Sequence, residues 1–115
     1  MLYTLIVTSS HLNNNADSLY FAQELIKNKH KILKIFFLFD GAYTANAFID
    51  MPTDEPNIAR QWSDFAQNNN INLLVCRASA ARRGICDINL SAKFNLSSIG
   101  ELVESCDMSD CVVSL

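Results

Sequence analysis

The segment Ile32-Leu-Lys-Ile-Phe-Phe-Leu-Phe39 decides the fold class, because it is a nearly continuous apolar run that Asp40-Gly41 ends. An apolar run of this length, with no regular alternation, is typical of a strand that is covered on both faces, and such strands belong to parallel sheets. Neighbouring parallel strands need crossover connections, which are usually helices. The segments on either side should therefore alternate between helix and strand.

Toward the N-terminus, Leu2–Thr8 is a short β-rich apolar run, and the polar stretch Ser9–Asn15 is predicted to be a loop. A helix is predicted from Asp17 onward, with Asp17 or Ser18 as its N-cap and Asn28 near its end. Its apolar positions recur at helical spacing: Leu19, Ala22, Leu25 and Ile26.

Toward the C-terminus, the polar segment Asp50–Pro56 contains both prolines and is predicted to be a surface loop. A helix should follow over Asn57–Gln67, and then a third strand over Ile71–Val75. The remaining predicted elements are a short helix over Ala78–Arg83 that Gly84 stops, a helix over Leu96–Ser105 and a terminal strand over Cys111–Leu115.

This alternation predicts one α/β domain over residues 1–115, with a mostly parallel sheet of about five strands, helices on both faces and right-handed crossovers. The order of the strands cannot be read from the pattern. Only three glycines are present, Gly41, Gly84 and Gly100, so neither a dinucleotide fingerprint nor a P-loop can be built. No cofactor is expected.

Composition indicates where in the cell the chain works and which classes of partner it can bind. The 115 residues carry a formal charge of −3, and half of them are apolar. The longest apolar run, Ile35–Phe39, is far shorter than the roughly 20 residues of a membrane span, and no basic residue precedes the first apolar stretch as in a signal peptide. We therefore expect a cytoplasmic protein without membrane contact. Its mildly acidic balance argues against direct binding of nucleic acid.

The four cysteines, Cys76, Cys86, Cys106 and Cys111, form no Cys-x-x-Cys pair, and only two histidines are available to complete a zinc site. No metal is expected, and cytosolic thiols are kept reduced. Cys86, Cys106 and Cys111 are predicted to be small buried hydrophobic residues. The adjacent carboxylates Asp54 and Glu55 are interpreted as part of a solvated turn.

Cys76 is the candidate reactive residue because it ends a predicted parallel strand, where ligands and reactive groups collect. A helix follows it at once, and Arg77, Arg82 and Arg83 are close in sequence. Unpaired N–H groups and cations both favour the thiolate, which is the nucleophilic form. Two alternatives remain open: Cys76 could be a core residue, and Arg82 and Arg83 could be a solvated helix face.

His11 is the one plausible base for a cysteine hydrolase, since it lies in the loop after the first strand, although such a histidine is more often a polar loop residue. Without a dependable base, sulfur transfer suits Cys76 better than hydrolysis does, because a persulfide forms when a thiolate attacks a sulfur atom.

The chain also resembles the TusD-like branch of the DsrE/DsrF-like sulfur-relay family over nearly its whole length. The resemblance rests on the order and spacing of several segments: Val7-Thr8, Phe21-Ala-Gln23, Leu25-Ile26, Phe36-Phe37, Gly41-Ala-Tyr-Thr-Ala-Asn46, Asp54-Glu55, Arg60, Trp62 and Cys76-Arg-Ala-Ser-Ala-Ala-Arg82-Arg83-Gly84. The chain departs from the pattern at Ser9–His11, which lacks glycine, between Asp87 and Phe94, which is short, at Arg77 and at the extra thiol Cys86.

The resemblance implies a sulfurtransferase whose Cys76 accepts sulfane sulfur as a persulfide. It implies a heterohexamer with TusB-like and TusC-like paralogues, a TusA-like sulfur donor and a TusE-like acceptor, with the sulfur ending in 2-thiouridine at the tRNA wobble position. Two alternatives stay open: a DsrE-type subunit in sulfur oxidation, and a non-catalytic structural subunit of the hexamer.

Overall fold

The structure, a computed structural model, describes residues 1–48 and 57–115, in which strands and helices alternate along the chain. The described strands are β1 (Leu2–Val7), β2 (Lys31–Phe37), β3 (Asn72–Cys76), β4 (Phe94–Ser97) and β5 (Cys111–Ser114). The described helices are α1 (Leu12–Lys27), α2 (Ile58–Asn69), α3 (Arg77–Arg82) and α4 (Ile99–Met108), with 3₁₀ helices at Phe39–Ala45 and Asp87–Asn89.

The five strands form one sheet in the order β4-β3-β2-β1-β5, and every neighbouring pair is parallel. The prediction of a parallel α/β sheet is therefore confirmed. The long apolar strand β2 lies at the centre, which is the place that its lack of a polar face requires. The two edge strands, β4 and β5, are each four residues long.

Helices cover both faces of the sheet, as predicted. On one face, α1 and α2 pack on alternate strand residues such as Val7, Phe37 and Val75, and the Trp62 ring meets the Phe37 ring edge-on with 5.3 Å between centroids. On the other face, Leu102 of α4 packs against a second apolar cluster: Phe36, Leu38 and Leu74. Among the described residues no helix is long and apolar enough to cross a membrane.

An ion pair ties α4 to its face of the sheet. Lys34 Nζ on β2 lies 2.8 Å from Glu101 Oε1 on α4, and the Ser97 hydroxyl at the end of β4 bonds to the other carboxylate oxygen. The hydrogen bonds from Lys34 and Ser97 hold the pKa of Glu101 below its usual range, against a smaller opposing effect of burial. The start of α4 is thereby fixed beside the ends of β3 and β4.

The predicted loop over Ser9–Asn15 is wrong, because α1 begins at Leu12 with His11 as its N-cap. The reason is Asn15, whose side chain is fully buried. Its Nδ2 donates to Ser9 O at 2.7 Å and to Thr44 Oγ1 at 2.9 Å, and its Oδ1 accepts from Trp62 Nε1. Tertiary partners therefore stabilise a helical turn that local composition disfavours.

The predicted helix over Leu96–Ser105 is wrong at its start. Residues Phe94–Ser97 form β4, and α4 begins only after Ser98, whose hydroxyl accepts a hydrogen bond from the Glu101 N–H at 3.3 Å. Leu96 faces the same apolar cluster as Val75, so it belongs to the sheet. The segment Asp50–Pro56, with Asp54 and Glu55, lies outside the described residues.

Candidate functional site

Cys76 stands at the carboxyl edge of the sheet, where β3 passes directly into a helix. It is the last residue of β3 and also the N-cap of α3, with φ −58° and ψ 123°. No loop separates the strand from the helix, so the backbone fixes the direction of the side chain. A nucleophile in this position is presented at the edge where the strands of a parallel sheet bring reactive groups together.

The Cys76 side chain is half-buried, so its sulfur is shielded on one side and reachable from the other. The shielded side packs against the apolar cluster under α4, which includes Phe36, Leu38 and Leu102. Such a setting removes water from part of the Cys76 side chain and leaves part of it exposed.

Several donors face the Cys76 sulfur. Burial raises the pKa of the thiol, but the N–H and hydroxyl of Ser79, the N–H of Ala78 and the charge of Arg82 together outweigh it, so the pKa is lowered from its ordinary value. The Cys76 side chain itself forms no capping hydrogen bond with the N–H groups at the start of α3. The donors are thus available to a sulfur anion.

The three predicted arginines have different surroundings. Arg77 and Arg82 are exposed, and Arg82 attracts the Cys76 anion electrostatically. Arg83 is bound elsewhere: its Nε and Nη2 donate to Asp40 Oδ1 at 3.1 and 3.0 Å, and its guanidinium lies 5.7 Å from the centre of the Tyr43 ring. Arg83 thereby connects the end of α3 to the neighbouring 3₁₀ helix.

That 3₁₀ helix is held very close to β1. Leu38 N donates to Val7 O at 3.0 Å, and a Cβ at Gly41 would lie 2.1 Å from the same carbonyl oxygen. Only glycine fits this approach. The edge of the site contributed by Phe39 and Asp40 is consequently fixed by backbone packing.

His11 does not join the cysteine in a catalytic pair. It is exposed at the N-cap of α1, where its backbone N–H donates to Ser9 Oγ at 3.1 Å. Within residues 1–48 and 57–115, no hydrogen bond links its ring to Cys76. Nor do three or more His, Cys, Asp and Glu side chains converge there as a metal site would require.

All four cysteines are free. The prediction that Cys86 is buried is wrong, because it is exposed beside the Asp87–Asn89 turn and its thiol donates to Asn89 Oδ1 at 3.4 Å. Cys106 and Cys111 are half-buried rather than fully buried. Burial therefore does not set Cys76 apart from the other thiols, whereas its donors do.

Ser79 is the residue of this site that the sequence analysis missed. Its side chain and N–H contribute to the lowered pKa of the Cys76 thiol, and its Oγ accepts a hydrogen bond from Phe39 N at 2.9 Å. The signal was present as Cys76-x-x-Ser79, the spacing of an N-cap residue and the third residue of a helix, whose side chains and N–H groups commonly face each other.

A cavity of about 670 Å³ lies elsewhere, between α2 and the Phe39–Ala45 helix. The described residues of its lining include Tyr43, Arg60 and Lys93, and Cys76 is not one of them. The Cys76 sulfur therefore lies at an open edge of the sheet rather than in the lining of this cavity.

Comparison with known proteins finds similar chains that are named sulfurtransferases. The chain is 34% identical to a protein of Proteus mirabilis named sulfurtransferase TusD, over 98% of this chain and 97% of that one. It is 32% identical to sulfurtransferase TusD of Buchnera aphidicola (subspecies Baizongia pistaciae), over 98% of both chains. It is also 32% identical to a putative sulfurtransferase DsrE of Allochromatium vinosum, over 85% of both chains.

Two solved structures share the fold. The YchN protein of Escherichia coli superposes with a TM-score of 0.83 over the whole of both chains at 19% identity. The MTH1491 protein of Methanobacterium thermoautotrophicum does so with a TM-score of 0.75 over 97% of both chains at 8% identity. The model of the DsrE/DsrF-like family matches residues 1–115, and this chain therefore belongs to the DsrE/DsrF-like family.

Proposed function

We propose that this sulfurtransferase carries sulfane sulfur as a persulfide on Cys76, taking it from a TusA-like donor and passing it to a TusE-like acceptor for 2-thiolation of the tRNA wobble uridine. The observation that carries the proposal is the half-exposed Cys76 sulfur, which several hydrogen-bond donors and a cation favour as an anion. The similarity to proteins named sulfurtransferase TusD supports the same role.

The transfer needs no external oxidant or metal. The Cys76 thiolate attacks the outer sulfur of the donor persulfide, a new S–S bond forms on Cys76, and the donor's S–S bond breaks with its electron pair leaving on the donor thiolate. The outer sulfur keeps its proton, so Cys76–S⁻ and donor–S–SH give Cys76–S–SH and donor–S⁻. An acceptor thiolate then repeats the exchange on the outer sulfur.

Arg82 supports this chemistry electrostatically, because it lies near enough to favour the anion and is exposed. Arg77 is exposed next to the reactive sulfur and is proposed to meet the incoming partner. Arg83 contributes by holding the Phe39–Ala45 helix through Asp40.

The partners of this function are proteins. Large apolar side chains are exposed at Phe39 (60%), Phe48 (69%) and Ile88 (83%), and such residues, when clustered, mark protein interfaces. We assign them to assembly with TusB-like and TusC-like paralogues in a heterohexamer. The acidic chain would work in the cytoplasm without touching the tRNA itself.

Sulfur oxidation is the second candidate function. The similarity to the putative sulfurtransferase DsrE of Allochromatium vinosum favours it, since the identity of 32% equals that to a relative named TusD. Both functions use the same Cys76 chemistry and differ in what receives the sulfur. A purely structural role would not require groups around Cys76 that favour its thiolate.

The direct test loads the purified chain with a persulfide-bearing TusA-like carrier and measures peptide masses. A gain of about 32 Da, one sulfur atom, is expected on the Cys76 peptide. Cys76→Ser should abolish the gain, whereas the exposed control Cys86→Ser should retain it. Labelling that persists in Cys76→Ser would contradict the proposal.

A second experiment separates the two pathways and tests the assembly. Cells whose only copy is Cys76→Ser should lose 2-thiouridine from the wobble position, whereas unchanged thiolation would favour sulfur oxidation or a structural role.

Sedimentation with TusB-like and TusC-like proteins should show one complex. A stable monomer that ignores both partners would refute the heterohexamer.

A further inference from the structure

We propose that Ile99 and Val103 of α4, together with Arg77 and Arg82 of α3, form the docking surface for the protein that donates sulfur to Cys76. This inference deepens the sulfur-transfer function proposed above and rests on it. The matching surface of the donor carries apolar side chains and carboxylates beside its persulfide.

The strand register places the start of α4 beside the reactive cysteine. Cys76 pairs with Ser97 across β3 and β4, and Ile99 follows two residues later as the first residue of α4. Adjacent strands lie about 4.8 Å apart and two residues span at most about 7 Å, so the Cα atoms of Cys76 and Ile99 lie within about 12 Å of each other. The Cys76 side chain packs against the same apolar cluster as Leu102 of α4, so the cysteine and this helix share one face of the sheet.

Two large apolar side chains of α4 are exposed next to this point. Ile99 is 58% exposed and Val103 is 56% exposed, and because they lie four residues apart they share one side of the helix. Leu102, by contrast, is buried against the sheet. The next position on the exposed side, Asp107, is charged and exposed, so the apolar stripe consists of Ile99 and Val103. Packing within this chain does not account for its apolar character.

The chemistry at Cys76 determines what covers the apolar stripe. A sulfur–sulfur bond is about 2.05 Å long, so a donor persulfide has to come into direct contact with the half-buried Cys76 side chain. A specific protein interface buries about 800 Å² on each partner, which corresponds to a round patch about 16 Å in radius. A patch of that radius around Cys76 contains Ile99 and reaches the turn of α4 that carries Val103. The donor protein is therefore the occupant that the reaction itself brings to these residues.

The donor needs this surface more than the acceptor does. The outer sulfur of the donor has to reach the half-buried Cys76 sulfur itself, whereas the acceptor thiolate attacks an outer sulfur that projects about 2 Å further from the chain. In the loading step Cys76–S⁻ attacks the outer sulfur of donor–S–SH, the new S–S bond forms on Cys76, and the donor's S–S bond breaks with its electron pair leaving on donor–S⁻. The docking surface accordingly acts on the loading of Cys76.

The charges of α3 indicate what the donor's surface carries. Arg77 follows the cysteine directly and Arg82 ends α3, a helix about 9 Å long, so both lie within the same patch. Both arginines are exposed. The α3 side of the docking surface is thus cationic, although the whole chain has a formal charge of −3, and carboxylates on the donor complement it. Two acidic side chains of neighbouring elements are already bound to cations of this chain, in the pairs Asp40–Arg83 and Glu101–Lys34.

The experiment compares two sulfur donors on the full chain. The persulfide-bearing TusA-like carrier has to dock, whereas cysteine persulfide supplies the same outer sulfur without a protein surface. In Ile99→Glu and in Val103→Glu, the second-order rate of Cys76 loading from the carrier should fall about tenfold, as for the loss of a central interface residue. Loading from cysteine persulfide should stay within about twofold of wild type. Both rates are followed by the gain of about 32 Da on the Cys76 peptide.

The matched control is Tyr20→Glu. Tyr20 is a large side chain of α1 that is 63% exposed, and α1 packs on the opposite face of the sheet, so this variant should leave both rates unchanged. Circular dichroism checks folding. Ile99→Glu should fold, because it adds a carboxylate to the first turn of α4, and Val103→Ser replaces Val103→Glu if the latter does not fold.

Salt tests the charged part of the surface. Added salt should slow loading from the carrier in the wild-type chain, because it screens Arg77 and Arg82, and it should change loading from cysteine persulfide much less. Equal salt dependence with the two donors would overturn the role of the arginines in docking.

The outcomes separate the docking surface from the function on which it rests. Unchanged loading from the carrier in the folded variants, or an equal loss with both donors, overturns the docking surface while the sulfur-carrier function stands. Loss of assembly with TusB-like and TusC-like proteins in Ile99→Glu or Val103→Glu assigns the stripe to a subunit contact and also overturns it. A wild-type Cys76 that gains about 32 Da from neither donor overturns the sulfur-carrier function itself.

Discussion

Replacing Asn15 by alanine should strongly destabilise the fold, although the residue lies in a polar stretch of sequence. The fully buried side chain bonds to three partners: Ser9 in the loop after β1, Thr44 in the Phe39–Ala45 helix and Trp62 in α2. Its removal leaves the buried indole N–H of Trp62 without an acceptor.

The magnitude follows from those contacts. An unpaired buried donor costs about 1–3 kcal/mol, and a lost buried hydrogen bond about 1 kcal/mol. We expect Asn15→Ala to lower the free energy of unfolding by about 3 kcal/mol, or the midpoint of thermal unfolding by about 12 °C at about 4 °C per kcal/mol. The neighbour Asn14 is exposed and reaches Ser9 Oγ only at 3.4 Å, so Asn14→Ala should change stability by less than about 0.5 kcal/mol.

Urea unfolding followed by circular dichroism measures both variants. A double-mutant cycle with Trp62→Phe, which removes the N–H, should reduce the cost of Asn15→Ala by about 1–2 kcal/mol. Equal costs in the two backgrounds, or an Asn15→Ala variant as stable as Asn14→Ala, would refute the reasoning.

Three further results are expected. Gly41→Ala should lower the thermal midpoint by more than 10 °C, on the order of 3 kcal/mol, because the new Cβ would lie 2.1 Å from a backbone oxygen. In the control Gly100→Ala, within α4, the new Cβ meets nothing closer than 3.7 Å and should stabilise the fold by about 0.5–1 kcal/mol. Equal thermal midpoints in the two variants would contradict this prediction. Glu101→Gln should lower the free energy of unfolding at pH 7. Because the pKa of Glu101 is lowered in the folded state, the difference from wild type should be present above about pH 4.3 and vanish as the pH falls through the folded pKa. A difference that does not depend on pH would refute the role of the ion pair. At mildly acidic pH, alkylation should label Cys76 before the more exposed Cys86, since the pKa of Cys76 is lowered, and the reverse order in mass mapping would count against it.

Much of the fold could be predicted locally. The apolar run that became β2 has too few polar residues to face water, so its burial in a parallel sheet follows from composition. The apolar spacing of α2 likewise predicted a helix, which the structure extends to Asn69 before a left-handed Asn70. Strand β4 escaped prediction because four residues of mixed polarity at a sheet edge carry no clear period.

The sequence by itself determined that a parallel sheet exists and that Cys76 ends one of its strands, because both depend on residues adjacent in the chain. Only the tertiary structure decided that α1 begins at Leu12, that Arg83 binds Asp40 and that Phe39 reaches Ser79. Each of these depends on groups that are distant in sequence and become close only after the sheet has ordered. A buried hydrogen bond or a paired charge can then outweigh the local preference of its segment, which is about 1 kcal/mol or less for each residue.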